Sequence, residues 1–282
     1  KYQIFSDDSA QIAIINGDDE QGKKWLSCWP NKQPVIVYGK TTNLNEFSAY
    51  VLATNIKTKA NGVAFTLQTH QGHQPIESIL IGDFNVENLL AAIAVLMAKD
   101  ISLADIATAV KSLTPIIGRM ETFSANNKAT AIVDYAHTPD ALESALHASR
   151  SHCQGELWVV FGCGGDRDKG KRPLMAKVAE NIADHVVFTT DNPRNEKAED
   201  IIADMMKGCS KPEKITTLLD RELAIIATLA KAKPDDIILL AGKGHEDYIV
   251  VGDDKIEYNE REFVKSIYVR SQQQSETVGA IL

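Results

Sequence analysis

The sequence predicts an α/β protein in which a mixed first part is followed by a doubly wound, mostly parallel sheet domain. From Gly118 onwards, short apolar runs alternate with stretches of helical periodicity, which is the pattern of successive β-α-β units. Before that point, two apolar runs rich in β-branched residues are separated by the turn dipeptide Asn61-Gly62, which predicts a hairpin. The change of pattern divides the chain into a first part over 1–117, a second part over 118–270 and a Gln- and Ser-rich tail over 271–282, which we expect to fray.

The first part is expected to combine short strands with two clear helices. A helix rich in Ala and Leu is predicted over 86–98. A second helix over 103–113 follows Ser102, whose hydroxyl suits an N-cap. Strands are predicted over 11–15, 35–38, 50–57 and 62–69, with a short helical stretch around Trp25.

The second part alternates regularly, and its apolar runs are short and uninterrupted. Such runs are typical of parallel strands that are buried on both faces. Strands are predicted over 131–133, 157–161, 186–189, 215–218 and 237–241, and helices over 139–149, 173–182, 198–206 and 221–230.

Composition excludes several classes of protein. A net charge of −8 argues against a nucleic-acid-binding surface, and no apolar run is long enough to cross a bilayer. The four cysteines form no CxxC pair, so we expect reduced thiols and a cytoplasmic protein rather than a zinc site or a disulfide scaffold. We also expect a monomer.

The most informative loop, Asp191-Asn192-Pro193-Arg194, follows the strand predicted over 186–189. Pro193 restricts the backbone, and the Arg194 guanidinium is a planar fork that suits a carboxylate. In open α/β sheets, ligands bind beyond the carboxyl ends of the strands. Taken alone, the tetrapeptide is compatible either with such a site or with a simple Asn-Pro turn.

A second loop resembles a phosphate-binding loop without completing it. Residues 165–171 satisfy GxxxxGK, but the next residue is Arg172 rather than the Ser or Thr that would contact Mg²⁺. We therefore expect no P-loop here. The loop's glycines allow a ligand to approach closely, and Arg167 is placed to bind a carboxylate or a phosphate.

Several other polar residues admit two interpretations. His137 is either a general base or, as we favour, a residue that orients its own loop. Glu246, in the loop Gly242-Lys-Gly-His-Glu, either binds an ammonium group or is a solvated acid. Asn85 is either an N-cap or a ligand-binding residue, whereas Asn88 is less expected inside a first helical turn.

Six motifs occur in order along the chain, and they are Asn85-Val-Glu-Asn88, Gly118-Arg-Met-Glu, Asp134-Tyr-Ala-His-Thr-Pro, Phe161-Gly-Cys-Gly-Gly-Asp-Arg, Asp191-Asn-Pro-Arg and Gly242-Lys-Gly-His-Glu. Taken together, they resemble the Mur ligase family of peptidoglycan synthesis over about residues 11–265. In that family the tetrapeptide at 191–194 marks the members that add meso-diaminopimelate. The resemblance implies that ATP phosphorylates the carboxylate of UDP-MurNAc-L-Ala-D-Glu and that the amine of diaminopimelate then attacks the acyl phosphate.

The resemblance also implies which residues bind which substrate. It assigns no catalytic residue and no metal ligand within these 282 residues. For ATP it implies Asn85 and Asn88 at the adenine, Arg119 at the phosphates and Asp134 at the ribose, with His137 as a further residue of the ATP site. For meso-diaminopimelate it implies Arg167, Asp191, Asn192, Pro193, Arg194, Gly242 and Glu246.

The chain departs from the family pattern at its front. A complete Mur ligase has an N-terminal UDP-binding domain, and a central domain with a P-loop, Mg²⁺ ligands and a carbamylated lysine. None of these motifs is in the sequence, so residues 1–117 resemble the second part of the central domain. We expect a C-terminal fragment that cannot use ATP and Mg²⁺ by itself but still binds diaminopimelate weakly.

Three alternatives remain open from the sequence. The first is a non-catalytic module that binds an amino acid or a nucleotide. The second is a related ligase of the folylpolyglutamate synthase type, against which the loops at 191–194 and 242–246 argue. The third is a dinucleotide-dependent oxidoreductase, which is disfavoured because GxGxxG does not follow the first strand.

Overall fold

The structure is a computed structural model in which the chain forms two compact units, Lys1–Thr114 and Pro115–Leu282. Each unit is described by itself. The Asn61 half of the predicted hairpin turn lies outside the described residues. These residues are 11–29, 34–40, 42–59 and 62–279, with the side chains of 42–43 and 271–279 excepted.

The first unit is a mixed sheet covered by helices. The first strand pairs with the second, and the second with the third, in parallel. The third pairs with the fourth, and the fourth with the fifth, in antiparallel fashion, so the predicted hairpin is present. The strands, in their order across the sheet, are β1 (Ala13–Asn16), β2 (Val35–Gly39), β3 (Tyr50–Lys59), β4 (Gly62–Thr69) and β5 (Gly72–Ser78), and the helices are α1 (Glu20–Ser27), α2 (Asp83–Met97) and α3 (Leu103–Lys111).

The core of this unit lies between the sheet and α2. Phe65 and Leu67 of β4 point towards Leu90 and Ile93 of α2 in one buried apolar cluster. Helix α3 begins as predicted at Ser102, whose Oγ accepts a hydrogen bond from Asp105 N at 3.2 Å.

Two features of the first unit differ from the predictions. Strand β5 was missed because Pro75 interrupts it, but β5 is an edge strand, where a missing N–H is tolerated. The N-cap of α2 is Gly82, so of the two interpretations of Asn85 the N-cap is wrong. Asn85 lies inside the first turn, where its Nδ2 donates to Ile81 O at 2.7 Å.

The second unit is the predicted mostly parallel sheet. Its strand order is β10-β9-β8-β11-β7-β6, and only the pairing of β6 with β7 is antiparallel among the described strands of this sheet. The strands are β6 (Glu121–Phe123), β7 (Thr130–Asp134), β8 (Leu157–Phe161), β9 (His185–Phe188), β10 (Thr216–Thr217) and β11 (Ile237–Ala241).

Helices cover the sheet, and two of the four begin at a polar side-chain cap. Thr138 caps the first of them and Asp220 caps the last, in each case with a side-chain oxygen that accepts a backbone N–H three residues on. Apolar residues from both layers form the core. The helices are α4 (Pro139–His152), α5 (Lys171–Ile182), α6 (Ala198–Met206) and α7 (Arg221–Lys231).

The C-terminal segment contains elements that the sequence did not predict. A two-stranded hairpin, β12 (Tyr248–Val251) and β13 (Asp254–Glu257), precedes the helix α8 (Glu260–Gly279). This helix extends over most of the segment 271–282 for which fraying is predicted. Its N-terminal half packs Val264 and Tyr268 into the core of the unit, which anchors the helix.

A buried ion pair fastens the carboxyl edge of this sheet. Arg221 at the start of α7 binds the carboxylate of Glu260 in α8, and both side chains are almost wholly excluded from solvent. Arg221 Nη2 also donates to Ala241 O at the end of β11, at 3.0 Å, and Nη1 donates to Thr190 O after β9, at 3.4 Å. One guanidinium therefore holds two strand ends to two helices.

Candidate functional site

Four loops that follow β7, β8, β9 and β11 enclose a cleft of about 520 Å³ at the carboxyl edge of the second unit's sheet. This is the position at which open α/β sheets bind ligands. The cleft is lined by Tyr135, His137, Thr138, Gly162, Cys163, Gly164, Arg167, Asp168, Lys171, Asp191, Asn192, Arg194, Gly242 and Glu246.

The lining includes most of the predicted amino-acid site. Six of its seven residues line the cleft, and Pro193 is buried beside them. Among the residues predicted for ATP, His137 lines the same cleft, and Arg119 and Asp134 lie in the same unit. The remaining two, Asn85 and Asn88, belong to the first unit, on α2.

Glycines bring two of the loops into backbone contact. A Cβ at Gly162 would lie 2.2 Å from Thr189 O, and one at Gly165 would lie 1.9 Å from Pro193 O. Neither contact is possible for a residue with a side chain, so the Gly-rich loop after β8 serves to seat the Asp-Asn-Pro-Arg loop.

Asn192 lies in the Asp-Asn-Pro-Arg loop and is only 5% exposed. Its Oδ1 accepts hydrogen bonds from Lys243 Nζ at 2.6 Å and from Val250 N at 2.9 Å. Its Nδ2 donates to Glu246 Oε2 at 3.0 Å. The amide therefore ties the loop after β9 to the loop after β11.

Arg194 has an unusual backbone and a half-buried side chain. Its φ is +50°, in the left-handed region, and its N–H donates to Val250 O at 3.0 Å. The guanidinium donates through Nη1 to Gly165 O at 2.8 Å. This bond holds one nitrogen of the planar group, which lines the cleft, and leaves other N–H groups for a ligand.

Arg167 and Glu246 carry opposite charges into the cleft. Arg167 is exposed and has no hydrogen bond or ion pair to any described residue. Glu246 is half-buried, and within the described part of the chain only its Oε2 is engaged. The cleft thus offers two guanidinium groups for carboxylates and one carboxylate oxygen for an ammonium group.

Arg172 explains why the near-P-loop sequence is not a P-loop. The Arg172 side chain is fully buried and binds Glu196 at 2.7 Å and Asp204 at 2.9 Å. Its Nη2 also donates to Gly164 O at 3.2 Å. The residue that replaces the hydroxyl of a P-loop is therefore a structural cation that holds the loop against α6. Helix α5 starts at Lys171, two residues earlier than predicted, because Pro173 is tolerated in a first turn.

The Arg172 ion pair predicts a specific pH dependence of stability. Hydrogen bonds from Arg172, and then from Lys169 and the Asp166 N–H, hold the pKa of Glu196 far below its ordinary value of 4.5. Because the folded pKa is the lower one, this contribution to stability is complete above about pH 4.5 and is lost as the pH falls towards the folded pKa. We expect the free energy of unfolding of Glu196→Gln to fall less steeply than that of the wild type as the pH is lowered. Urea unfolding at several pH values measures this free energy.

Glu199→Gln is the matched control for this prediction, since it removes one negative charge from an exposed position in the first turn of α6. If the free energy of unfolding falls equally with pH in the wild type and in Glu196→Gln, the stabilising role of the Glu196 carboxylate is contradicted.

Two of the residues predicted for ATP, Arg119 and His137, contact the Tyr135 ring. Arg119 is exposed and lies over this ring, 4.9 Å from its centroid, and the ring of His137 lies 4.7 Å away. His137 Nδ1 is 2.9 Å from Tyr135 O. This contact fits the loop-orienting interpretation of His137 better than a general base.

Asp134 is a buried acid at the end of β7. Its Oδ1 and Oδ2 accept hydrogen bonds from Ala136 N at 2.8 Å and Met120 N at 2.9 Å. Burial raises the pKa of this carboxyl, although the two N–H donors and Arg119 oppose the rise. The side chain thereby joins the loop that carries Arg119 to the edge of the sheet.

Neither a nucleophile nor a metal centre emerges from the described residues. Cys163 lines the cleft, but burial raises the pKa of its thiol to about 12, so it is protonated at neutral pH. The described part of the chain holds no group of three or more His, Cys, Asp or Glu that could bind a metal ion. It also has no helix that is both long and apolar enough to cross a bilayer.

Lys243 is an important residue for which the sequence indicates no role. It is fully buried and contacts the loop after β9 and the first residue of β12. A lysine between two glycines is usually solvated, and nothing local signals burial. Its partner Asn192 is 51 residues away, so only the fold reveals the contact.

Comparisons with known proteins agree with this architecture. The Mur ligase middle domain matches residues 1–96, and the "Mur ligase, glutamate ligase domain" matches residues 118–244. The chain belongs to the Mur ligase family. The predicted fold class and the family resemblance are thereby confirmed.

Individual relatives narrow the similarity. The chain is 43% identical over 267 residues to the UDP-N-acetylmuramoyl-L-alanyl-D-glutamate–2,6-diaminopimelate ligase of Vibrio vulnificus, covering 95% of this chain and 53% of that protein. A solved structure of a ligase of the same name superimposes with a TM-score of 0.74 at 35% identity, covering 96% of this chain and 55% of the other.

A more distant structure shares the fold alone. The UDP-N-acetylmuramoylalanyl-D-glutamyl-2,6-diaminopimelate–D-alanyl-D-alanyl ligase of Acinetobacter baumannii is 19% identical with a TM-score of 0.61, over 87% of this chain and 51% of the other. The chain spans about half the length of each of these relatives.

Proposed function

We propose that this chain is part of an ATP-dependent ligase that adds meso-diaminopimelate to UDP-MurNAc-L-Ala-D-Glu during peptidoglycan precursor synthesis. The observation that carries the proposal is the cleft, in which Arg167, Arg194 and Glu246 place two cations and one anion around one volume. The 43% identity to a ligase of that name supports it.

The charges of the cleft complement those of the amino acid. Diaminopimelate carries two carboxylates and two ammonium groups. Arg194 and Arg167 bind the carboxylates, and Glu246, with the Gly242 carbonyl, binds an ammonium group. Asp191, Asn192 and Pro193 shape the wall between them. Gly242 adopts a φ of +111°, a backbone geometry that a side chain would strain, and so its carbonyl can face the ligand.

The nucleotide side of the reaction falls to other residues. Arg119 reaches the phosphates of ATP, Asp134 accepts a hydrogen bond from the ribose, and His137 holds the loop between them. Asn85 and Asn88, exposed along α2 to different extents, contact the adenine. In this proposal Mg²⁺ is the ion that accompanies ATP.

The chemistry itself requires little from the side chains of this chain. ATP transfers its terminal phosphoryl group to the glutamate carboxylate of the nucleotide substrate, which releases ADP. The uncharged amine of diaminopimelate then attacks the acyl carbon and expels phosphate. The chain's residues hold the amine in position and exclude other amines, which is catalysis by orientation. We further propose a cytoplasmic monomer, in keeping with soluble nucleotide substrates.

The experiment is an amide-forming assay with the complete gene product. We expect ADP release that requires both UDP-MurNAc-L-Ala-D-Glu and meso-diaminopimelate, together with a new tripeptide product in mass spectrometry. The 282-residue chain should show no turnover in the same assay. Absence of product from the complete protein would reject the ligase in favour of a binding module, and turnover by the chain alone would contradict its dependence on other segments.

A further inference from the structure

Lys243 lies at the junction of the loops that form the amino-acid cleft. Its side chain is 0% exposed and does not line the cleft. The ammonium group donates to Asn192 Oδ1 at 2.6 Å and to Tyr248 O at 3.0 Å. It also lies 3.0 Å from Asp191 Oδ1 in an ion pair and 3.5 Å from Glu246 Oε2.

A chain of hydrogen bonds connects this lysine to the cleft. Lys243 holds Asn192 Oδ1, and this fixes which way the amide of Asn192 points. The amide nitrogen then donates to Glu246 Oε2 at 3.0 Å. As a result Glu246 has one oxygen tied down, and its Oε1 has no hydrogen-bond partner among the described residues.

The charges around Lys243 do not balance. Asp191 and Glu246 are two carboxylates, and among the described residues Lys243 is the one cation in contact with both. Asp191 is the nearer and more deeply buried of the two, so it takes most of the neutralisation. One negative charge remains on Glu246, at the wall of the cleft.

We propose that Lys243 is a positioning residue that orients Glu246 through Asn192 and leaves it as the anion that captures the ammonium group of the amino-acid substrate. The inference rests on the proposed function and deepens it, because it assigns the recognition of the ammonium group to a three-residue relay. Lys243 touches neither substrate.

The first test is steady-state kinetics of the complete gene product carrying Lys243→Met. We expect the KM for meso-diaminopimelate to rise about tenfold or more, which is the loss of one charge-assisted hydrogen bond, while the KM for ATP stays within about twofold. Lys207→Met is the matched control, since it removes an exposed lysine that pairs with Asp204 outside the cleft. It should change neither value.

A second variant separates positioning from stability. Lys243→Met alone leaves Asp191 buried without its cation and can unfold the protein. The double variant Lys243→Met with Asp191→Asn keeps the net charge of the cluster at the wild-type value, because one cation and one anion are removed together. We expect it to melt closer to the wild type and still to show the raised KM for diaminopimelate.

Asn192→Leu interrupts the relay at its middle link and leaves Lys243 paired with Asp191. We expect the same selective rise in KM. An unchanged KM for diaminopimelate in either the double variant or Asn192→Leu overturns the inference. A wild-type protein without diaminopimelate-dependent turnover would instead reject the proposed function, so the two failures are distinct.

Discussion

Replacing Arg194 by alanine is expected to lower kcat/KM for meso-diaminopimelate by about 30-fold to several thousandfold, which corresponds to about 2–5 kcal/mol for one member of a desolvated charge pair. The reason is that a carboxylate of the substrate loses the half-buried guanidinium that Gly165 O holds in place. Steady-state kinetics with varied diaminopimelate at saturating ATP measures the effect. The KM for ATP should change little.

Arg194→Lys and Lys171→Ala are the controls for this prediction. Lysine keeps the charge but lacks the planar fork, so Arg194→Lys should recover only part of the loss. Lys171 is a third cation in the cleft lining, beside Arg167 and Arg194, and its Nζ donates to His137 O at 2.8 Å. Its removal should cost less diaminopimelate affinity than removal of Arg194. A raised KM for ATP without a change for diaminopimelate would show that the loop at 191–194 has been assigned to the wrong substrate.

Replacing Glu260 by glutamine is expected to destabilise the second unit by about 3–5 kcal/mol, because it leaves Arg221 as a buried charge without a counter-ion. The same guanidinium binds Ala241 O and Thr190 O at the ends of two strands. Urea unfolding of the chain, followed by circular dichroism, measures the free energy. Glu262→Gln, on the exposed side of the same helix, should stay within about 0.5 kcal/mol of the wild type.

The pair can also be removed as a whole. Arg221→Met combined with Glu260→Leu replaces two buried charges by apolar groups, and such exchanges are often nearly neutral. We expect the double variant to be more stable than Glu260→Gln, although Ala241 O loses its donor. A double variant that is less stable than the single one would mean that the hydrogen bonds to the strand ends, and not the ion pair, stabilise this edge.

The strands that could be predicted are the ones that are buried on both faces. β8 and β11 are uninterrupted apolar runs whose bounds agree with the prediction, because every residue faces a helix layer. β5 escaped prediction because proline interrupts it, and β13 because its residues are polar and exposed. β12 is apolar but only four residues long, and it was missed together with its partner. Their pairing comes from a neighbouring strand and leaves little mark on composition.

The position of the site could be predicted from the sequence, but the buried residues that support it could not. In a parallel sheet the ends of all strands meet at one edge, so Arg167, Arg194 and Glu246 could be brought together without coordinates. The roles of Lys243 and Arg172 could not, because their partners are 24 to 51 residues away and no periodicity connects them. In the sequence Lys243 resembles a solvated lysine and Arg172 interrupts a phosphate-loop pattern, but in the structure both are buried and hold loops in place.

The proposed function depends most on the ability of the cleft to select an amino acid with a distal carboxylate. The direct test is the ratio of kcat/KM for meso-diaminopimelate to that for L-lysine, measured on the complete gene product with UDP-MurNAc-L-Ala-D-Glu and ATP. Lysine would leave an arginine of the cleft unpaired, so we predict a preference for diaminopimelate of at least about a hundredfold. Equal use of the two amino acids, or a preference for lysine, would contradict the account.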